Sequence, residues 1–235
     1  MIRNKTVLAF IPARGGSKSI PNKNIKKIAG KEMLGYTIEA ARKTGVCDRI
    51  IVSTDSYNIA EVAQKYGAEV PYQRPAELAQ DDSHMMDVIK QGMNWIEKHD
   101  QKYDVFLYLQ PTNPLRKDRH IIEAFNVFFQ KEANSVVSIN ATGHLPGRTN
   151  TIPENGQMKG FVDAGTMQKN RQELPQYYEL NGAIEMILWD VMKTEWNWYG
   201  EKSYPYIIPE PYGLDVDTML DFRFAQFLIE EGYVQ

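Results

Sequence analysis

Residues 7–24 have the sequence VLAFIPARGGSKSIPNKN, in which a short apolar run leads directly into a glycine-rich, basic loop. The run Val7–Ile11 predicts a strand buried on both faces, because it is continuously apolar. Adjacent glycines at Gly15 and Gly16 let backbone N–H groups approach an anion closely. Three cations accompany them: Arg14, Lys18 and Lys23. This loop, at the carboxyl end of a first strand, suits a bound triphosphate.

The loop matches neither of two common phosphate-binding patterns. It lacks the GxGxxG spacing of dinucleotide-binding folds and the GxxxxGK[ST] spacing of ordinary P-loop ATPases. Both classes are therefore disfavoured. The alternative is a solvated glycine turn that carries surface lysines.

Apolar runs rich in β-branched residues alternate along the chain with amphipathic stretches, which is the pattern of a mostly parallel sheet covered by helices. The predicted strands are Val7–Ile11, Arg49–Thr54, Val105–Gln110, Ser135–Ile139 and Ala183–Leu188. The predicted helices are Lys31–Thr44, Tyr57–Tyr66, Ser83–Lys98, Arg119–Lys131 and Thr218–Glu231. Residues 140–180 are rich in glycine and proline without a helical period, and predict a projecting insertion within a single domain, 1–235.

Composition excludes several classes of protein. The chain has 235 residues, 43% hydrophobic and 24% charged, which is typical of a globular enzyme rather than a disordered chain. A net charge of −3 argues against nucleic acid as a partner. A single cysteine, Cys47, and four scattered histidines argue against a disulfide framework or a zinc site. Without a recognisable signal peptide or a membrane-length apolar run, we expect a cytoplasmic protein and no membrane partner.

The string ARGGSKSIPNKN closely resembles the signature of the CMP-sialic acid synthetases (acylneuraminate cytidylyltransferases), including relatives acting on legionaminic and pseudaminic acids. Further matching motifs follow in the family's order: Ile50–Asp55, Arg74–Ala79, Leu109–Arg116, Arg171–Pro175, Asn181–Ile184 and Asp215–Thr218. The resemblance implies a three-layer α/β/α Rossmann-like nucleotidyltransferase fold. It also implies CTP and an acidic sugar as substrates, Mg²⁺ as cofactor, and a homodimer formed through the 140–180 segment.

The resemblance implies a nucleotide site at Ala13, Arg14, Gly15, Gly16, Ser17, Lys23, Asn24, Arg74 and Ser83. Catalytic roles fall on Arg14, Lys23 and Asp217. Arg74 precedes a proline, which favours an extended backbone that projects the side chain outward. Its planar fork suits a pyrimidine edge, although an arginine in this context is also common at the surface. In the family, the arginine of this motif recognises cytosine.

Asp215 and Asp217 lie two residues apart. In an extended segment this spacing puts both carboxylates on one face, where they could hold a hard cation together with phosphate oxygens. The alternative is a loop aspartate followed by a helix N-cap. The resemblance implies a Mg²⁺ site here. No histidine falls in a motif, so we expect metal activation rather than a protein general base.

The resemblance places the acceptor site at Gln110, Arg148, Arg171, Glu185, Trp198 and Tyr199. Arginines can hold a sugar carboxylate, although isolated ones are usually exposed. The aromatic pair could equally belong to the core or to a dimer interface. Glu185 stands where sialic acid enzymes commonly have tyrosine, so the acid could be sialic, legionaminic, pseudaminic or another.

Alternative functions differ in acceptor or in class. One is a cytidylyltransferase for 3-deoxy-octulosonate or a phosphonate. Another is a non-catalytic nucleotide-binding module, which the presence of Arg14, Lys23, Asp215 and Asp217 disfavours. A hexose-1-phosphate nucleotidyltransferase is disfavoured because its glycine loop has a different pattern.

Overall fold

A computed structural model of the chain describes residues 2–162, 165 and 168–234, without the side chain of Arg171. The strands are β1 Val7–Pro12, β2 Lys27–Ile28, β3 Lys31–Glu32, β4 Arg49–Ser53, β5 Val105–Tyr108, β6 Ser135–Ala141, β7 Tyr178–Leu188 and β8 Ser203–Ile207. The helices are α1 Met33–Lys43, α2 Tyr57–Lys65, α3 Met85–His99, α4 Asp118–Gln130, α5 Trp189–Glu195 and α6 Met219–Glu230.

Within the described residues, six strands form one sheet in the order β4-β1-β5-β7-β6-β8, and β2 pairs with β3 separately. The β1 strand runs parallel to β4 and β5, and β6 runs parallel to β8. The β7 strand is antiparallel to both of its neighbours, β5 and β6. The sheet is therefore mixed but mostly parallel.

Two apolar cores cover the two faces of the sheet. Alternate residues of β1 supply both, because successive side chains of a strand point to opposite faces. Val7, Ala9 and Ile11 pack with α1, α2 and α4. Leu8 and Phe10 pack with α3 and α5. The result is the predicted three-layer α/β/α arrangement.

All five predicted strands and all five predicted helices are present, with bounds shifted by a few residues. The β8 strand, the α5 helix and the β2–β3 pair were not predicted from the sequence. Between β6 and β7, the described residues contain two short 3₁₀ turns, Pro146–Arg148 and Arg171–Glu173, and mostly exposed side chains. The division into a single domain 1–235 with an insertion at 140–180 stays a prediction.

No helix among the described residues combines the length and the apolar character needed to cross a membrane.

Candidate active site

A cavity of about 440 Å³ opens where β1 and β5 end at their carboxyl termini. The loop after β1 forms one wall, from Pro12 to Asn24, and residues 110–112 form another. Arg74, Asp81, Met85, Tyr108 and Asp217 complete the lining. Ligands of α/β folds bind at this edge of a parallel sheet, so the position agrees with the phosphate-binding loop predicted from sequence.

Two of the loop's cations are paired with Asp81. The Arg14 guanidinium lies 2.9 Å from Asp81 Oδ1 and donates to the carbonyl of Gln80 at 2.6 Å. Lys18 pairs with the other oxygen of Asp81. These two cations lower the pKa of the Asp81 carboxyl below its usual value. Sequence analysis did not identify Asp81, which becomes visible as a site residue only because the fold brings it to the loop.

Lys23 and Asp217 meet across the cavity. Lys23 Nζ lies 3.1 Å from Asp217 Oδ1 and donates to the carbonyl of Val216 at 3.0 Å. The Lys23 side chain is mostly buried, whereas Asp217 is exposed. The structure therefore joins two of the three predicted catalytic residues, 194 positions apart in the chain.

The loop backbone is held open by specific contacts. Gly15 N donates to Asp55 Oδ1 at 2.9 Å, and Asn24 Nδ2 donates to the carbonyl of Arg14 at 2.9 Å. Gly16 has open space where a Cβ would lie, and it lines the cavity with Ser17. These contacts fix the loop path and leave Gly16 facing the cavity.

Three predicted nucleotide-binding residues, Ala13, Gly15 and Ser83, do not line this cavity. Ala13 is fully buried in the core, and its N–H donates to the carbonyl of Ser53 at 2.9 Å. Ser83 Oγ accepts from Gln80 N and donates to the carbonyl of Glu77, each at 3.0 Å. Both side chains serve local structure here: Ala13 in packing and Ser83 in shaping the turn that carries Asp81.

Arg74 is a buried cation held at the cavity wall. Its Nε donates to Ser53 Oγ at 3.1 Å, and its Nη2 donates to the carbonyl of Ser53. The backbone N–H of Arg74 donates to the carbonyl of Thr54 at 2.8 Å, which continues the extended path predicted from the following proline. Two bonds to one residue fix the plane of the guanidinium, as recognition of a flat base requires.

Asp215 and Asp217 lie in the irregular segment that precedes α6. Asp215 Oδ1 is buried without a hydrogen-bond partner among the described residues, and burial raises the pKa of this carboxyl. The alternative role as helix N-cap belongs instead to Thr218, whose Oγ1 accepts from Asp221 N. Two carboxylates, one with an unpartnered oxygen, fit a Mg²⁺ ion that takes its remaining ligands from water and phosphate. The described residues contain no cluster of three acidic, histidine or cysteine side chains that could hold a metal without such help.

Gln110 lies at the junction between the sheet and the cavity. Gly182, at φ +67°, leaves the space that the Gln110 amide occupies, because a Cβ there would clash with it. Asn113, fully buried, donates to the carbonyls of Asn181 at 2.9 Å and Leu214 at 3.2 Å. Asn113 therefore ties the segment before Asp215 to β7, a positioning role that sequence analysis did not detect.

A second cavity of about 190 Å³ adjoins the first and shares Met85, Tyr108 and Gln110 with it. Glu185 and Trp198 also line it. Trp198 packs on Phe106 and Tyr108 as well, so it belongs both to the core and to the cavity.

The remaining predicted acceptor residues lie elsewhere. Tyr199 is 53% exposed and lines neither cavity. Arg148 is exposed, with its guanidinium 3.5 Å from the carbonyl of Lys169, and is not brought to the site. The side chain of Arg171 lies outside the part of the chain that the structure describes. The roles predicted for all three in acceptor binding stay predictions.

Arg116 does not add to the positive charge of the site. It is 1% exposed, and its Nη1 donates to the carbonyls of Ala183 and Gln110. Burial lowers the pKa of its guanidinium to about 9. Its function here is to bridge β7 and the strand end at Gln110.

The fold and the cavity define a nucleotidyltransferase of the α/β/α class. The family model described as "Cytidylyltransferase" matches residues 8–179, and the chain belongs to that family. This confirms the resemblance seen in the motifs.

Relatives and solved structures agree with that assignment. The chain is 34% identical over 228 residues to the CMP-N,N'-diacetyllegionaminic acid synthase of Legionella pneumophila, covering 95% of this chain and 96% of the relative. It is 31% identical over 226 residues to the pseudaminic acid cytidylyltransferase of Campylobacter jejuni, covering 96% and 97%. A solved CMP:2-keto-3-deoxy-manno-octonic acid synthetase superposes with a TM-score of 0.68 at 16% identity, covering 97% and 99%. That last likeness confirms the Rossmann-like nucleotidyltransferase fold.

Proposed function

We propose that this cytidylyltransferase activates a nonulosonic acid with CTP and releases CMP-sugar and pyrophosphate. The observation that carries the proposal is the convergence of Arg14, Lys18, Lys23 and Asp217 on a cavity walled by Arg74. The relatives named for legionaminic and pseudaminic acids support the acceptor class.

In the proposed reaction, the anomeric hydroxyl of the acid attacks the α-phosphorus of CTP. The bond from that phosphorus to the bridging oxygen breaks, pyrophosphate leaves with the electron pair, and the proton of the attacking hydroxyl passes to water. Arg14, Lys18 and Lys23 neutralise the triphosphate, exchanging their present carboxylate partners for phosphate oxygens. Gly16 leaves room for close approach of its backbone to a phosphate. Gln110, at the entrance to the second cavity, orients the acid so that its hydroxyl lies in line with the phosphorus.

Asp215 and Asp217 are the residues proposed to hold Mg²⁺. When bound, the ion neutralises phosphate charge and favours attack at phosphorus. The unpartnered Asp215 oxygen and the exposed Asp217 carboxylate support this assignment.

The variant D217A tests the metal assignment. We expect it to lose turnover and to bind Mg²⁺–CTP more weakly while it keeps its fold, because the Asp217 side chain is exposed. Pyrophosphate release reports turnover, calorimetric titration with Mg²⁺ and CTP reports binding, and circular dichroism reports the fold. Near-normal Mg²⁺-dependent release from this variant would contradict the assignment.

A substrate panel tests the proposed activity. Pyrophosphate release is measured with CTP, Mg²⁺ and sialic, legionaminic, pseudaminic or octulosonic acid. We expect the highest kcat/KM with one of the three nonulosonic acids. Preference for octulosonic acid, or no release with any of the four, would reject the proposal.

We further propose that the enzyme is a cytoplasmic homodimer that binds neither nucleic acid nor membranes. Its use of CTP, a cytoplasmic nucleotide, and its net charge of −3 support the location and the absence of a nucleic-acid partner. Exposed apolar side chains at Ile152 and Met158, in the segment between β6 and β7, support an interface there.

A further inference from the structure

Glu185 occupies a position where the strand pattern calls for an apolar side chain. It shares a face of β7 with Ile187, whereas Ile184 and Met186 belong to the opposite core. Its cross-strand partners are Tyr108 on β5 and Val137 on β6, both in the same apolar core as Ile187. A carboxyl has therefore been placed in the middle of a packed apolar face.

The Glu185 carboxyl lines the second cavity. Met85, Met86, Ile89 and Trp198 supply apolar walls, and among the described residues Glu185 is the only charged side chain in the lining. The carboxyl has neither a hydrogen bond nor an ion pair among those residues. Tyr108 Oη, beside it, is buried and likewise unpartnered in the described part of the chain. Burial raises the pKa of Glu185 to about 7.

An unpartnered polar group in an apolar site costs free energy. A leucine or methionine would remove that cost, and a ligand that donates a hydrogen bond would remove it as well. The cavity adjoins the first at Met85, Tyr108 and Gln110, so an acceptor bound beside Gln110 would place its substituents near Glu185.

The geometry points to Glu185 as the specificity-determining residue that accepts a hydrogen bond from the N–H of an acylamino group on the acceptor. The acyl methyl then contacts the walls formed by Met86, Ile89 and Trp198. This inference rests on the proposed function and adds the chemical group that the acceptor must carry.

Matched substrates and variants test the inference. The acceptor is N,N'-diacetyllegionaminic acid, or pseudaminic acid if the panel prefers it, with two analogues in which hydrogen replaces one acylamino group each. In the wild type, one analogue should raise the acceptor KM about tenfold. In E185L, the KM for the parent acid should also rise about tenfold, and replacing the parent acid with that analogue should raise the KM no further. The KM for CTP should stay unchanged. E185Q keeps an accepting oxygen and should stay within about threefold of the wild type.

Two outcomes would overturn the inference. In one, the analogue raises the acceptor KM of E185L as much as it raises that of the wild type; in the other, E185L leaves the KM for the parent acid unchanged. Pyrophosphate release in the same assays would still uphold the proposed function. No release from the wild type with sialic, legionaminic or pseudaminic acid would overturn both. M86W gives a second test that does not alter the buried carboxyl. It fills the cavity from the first turn of α3, so it should raise the KM for the parent acid and spare the analogue that lacks the relevant group. Equal KM changes for both acids would contradict the assignment.

Discussion

At the scale of single residues, Arg74 is the candidate for selecting the base. We expect R74K to lower the ratio of kcat/KM for CTP over UTP about tenfold, because lysine keeps the charge but loses the planar fork. The loss should appear mainly in the KM for CTP. Steady-state kinetics with both nucleotides measures the ratio.

The control for this prediction is S53A, which removes the hydroxyl that holds Arg74 Nε and leaves the guanidinium and the Ser53 carbonyl in place. It should weaken selectivity less than R74K does. An unchanged ratio in R74K would show that Arg74 does not recognise the base.

Asp81 competes with the triphosphate for Arg14 and Lys18. We expect D81N to lower the KM for CTP about threefold at low ionic strength, a modest effect because exposed ion pairs contribute little free energy. The effect should shrink as salt is added. Asp82 is the neighbouring exposed carboxylate and has no ion pair among the described residues, so D82N makes the same charge change and should leave the KM nearly unaltered. A raised KM in D81N would mean that Asp81 assists nucleotide binding instead.

The sequence revealed which residues carry charge but not which partners they find. Arg14 and Lys23 were predictable because glycines and cations cluster within one loop. Arg116 ends the motif Leu109–Arg116 as its one basic residue, yet two backbone carbonyls bind it inside the protein. Asp81 lies far from the loop in sequence, and only the path of the chain after Arg74 brings it there.

At the scale of elements, a glycine within β7 shapes the site. We expect G182A to raise the acceptor KM and to lower the free energy of unfolding by about 1 kcal/mol, because alanine is strained at φ +67° and its Cβ displaces Gln110. Kinetics and chemical denaturation measure the two effects.

G156A is the matched control, since Gly156 has φ +68° but open space around it. It should show the backbone cost without the change in KM. Equal acceptor KM values for the two variants would exclude a steric link between position 182 and Gln110.

Local patterns predicted most elements but not their arrangement. Buried strands such as β1 are recognisable because their apolar runs are continuous. The β8 strand was not predicted because it contains Pro205, which argues against a strand. Proline is tolerated there because β8 lies at the edge of the sheet. The direction of β7 could not be predicted, because periodicity carries no information about strand orientation.

At the scale of the whole molecule, the proposed dimer makes a prediction about mass. Light scattering should give about twice 27.0 kDa for the wild type, and the double variant I152D/M158D should shift the mass toward 27.0 kDa. Both side chains are exposed and apolar, so aspartate is expected to disfavour an interface without disturbing the core.

The control L220D changes an exposed apolar residue on α6, 78% exposed, and should leave the dimer intact. Dissociation by L220D alone would move the interface to α6. A wild-type mass of 27.0 kDa at every concentration would contradict the dimer itself.

The net charge of −3 describes the molecule as a whole and conceals the distribution that matters. Arg14, Lys18, Lys23 and Arg74 line one cavity, so a mildly acidic protein presents a local cationic site. The net charge argued against a polyanionic polymer as a partner and left a small polyanion open.

The position of β7 in the sheet has a consequence for synthesis of the chain. It lies between β5 and β6, although both precede it in sequence. During synthesis, β6 leaves the ribosome before residues 178–188 do. Until those residues emerge and form β7, β6 therefore cannot pair with the rest of the sheet. We expect the first three parallel strands to assemble early, and the second half of the sheet to form only when β7 arrives. During that interval the facing edges of β5 and β6 are open to other chains.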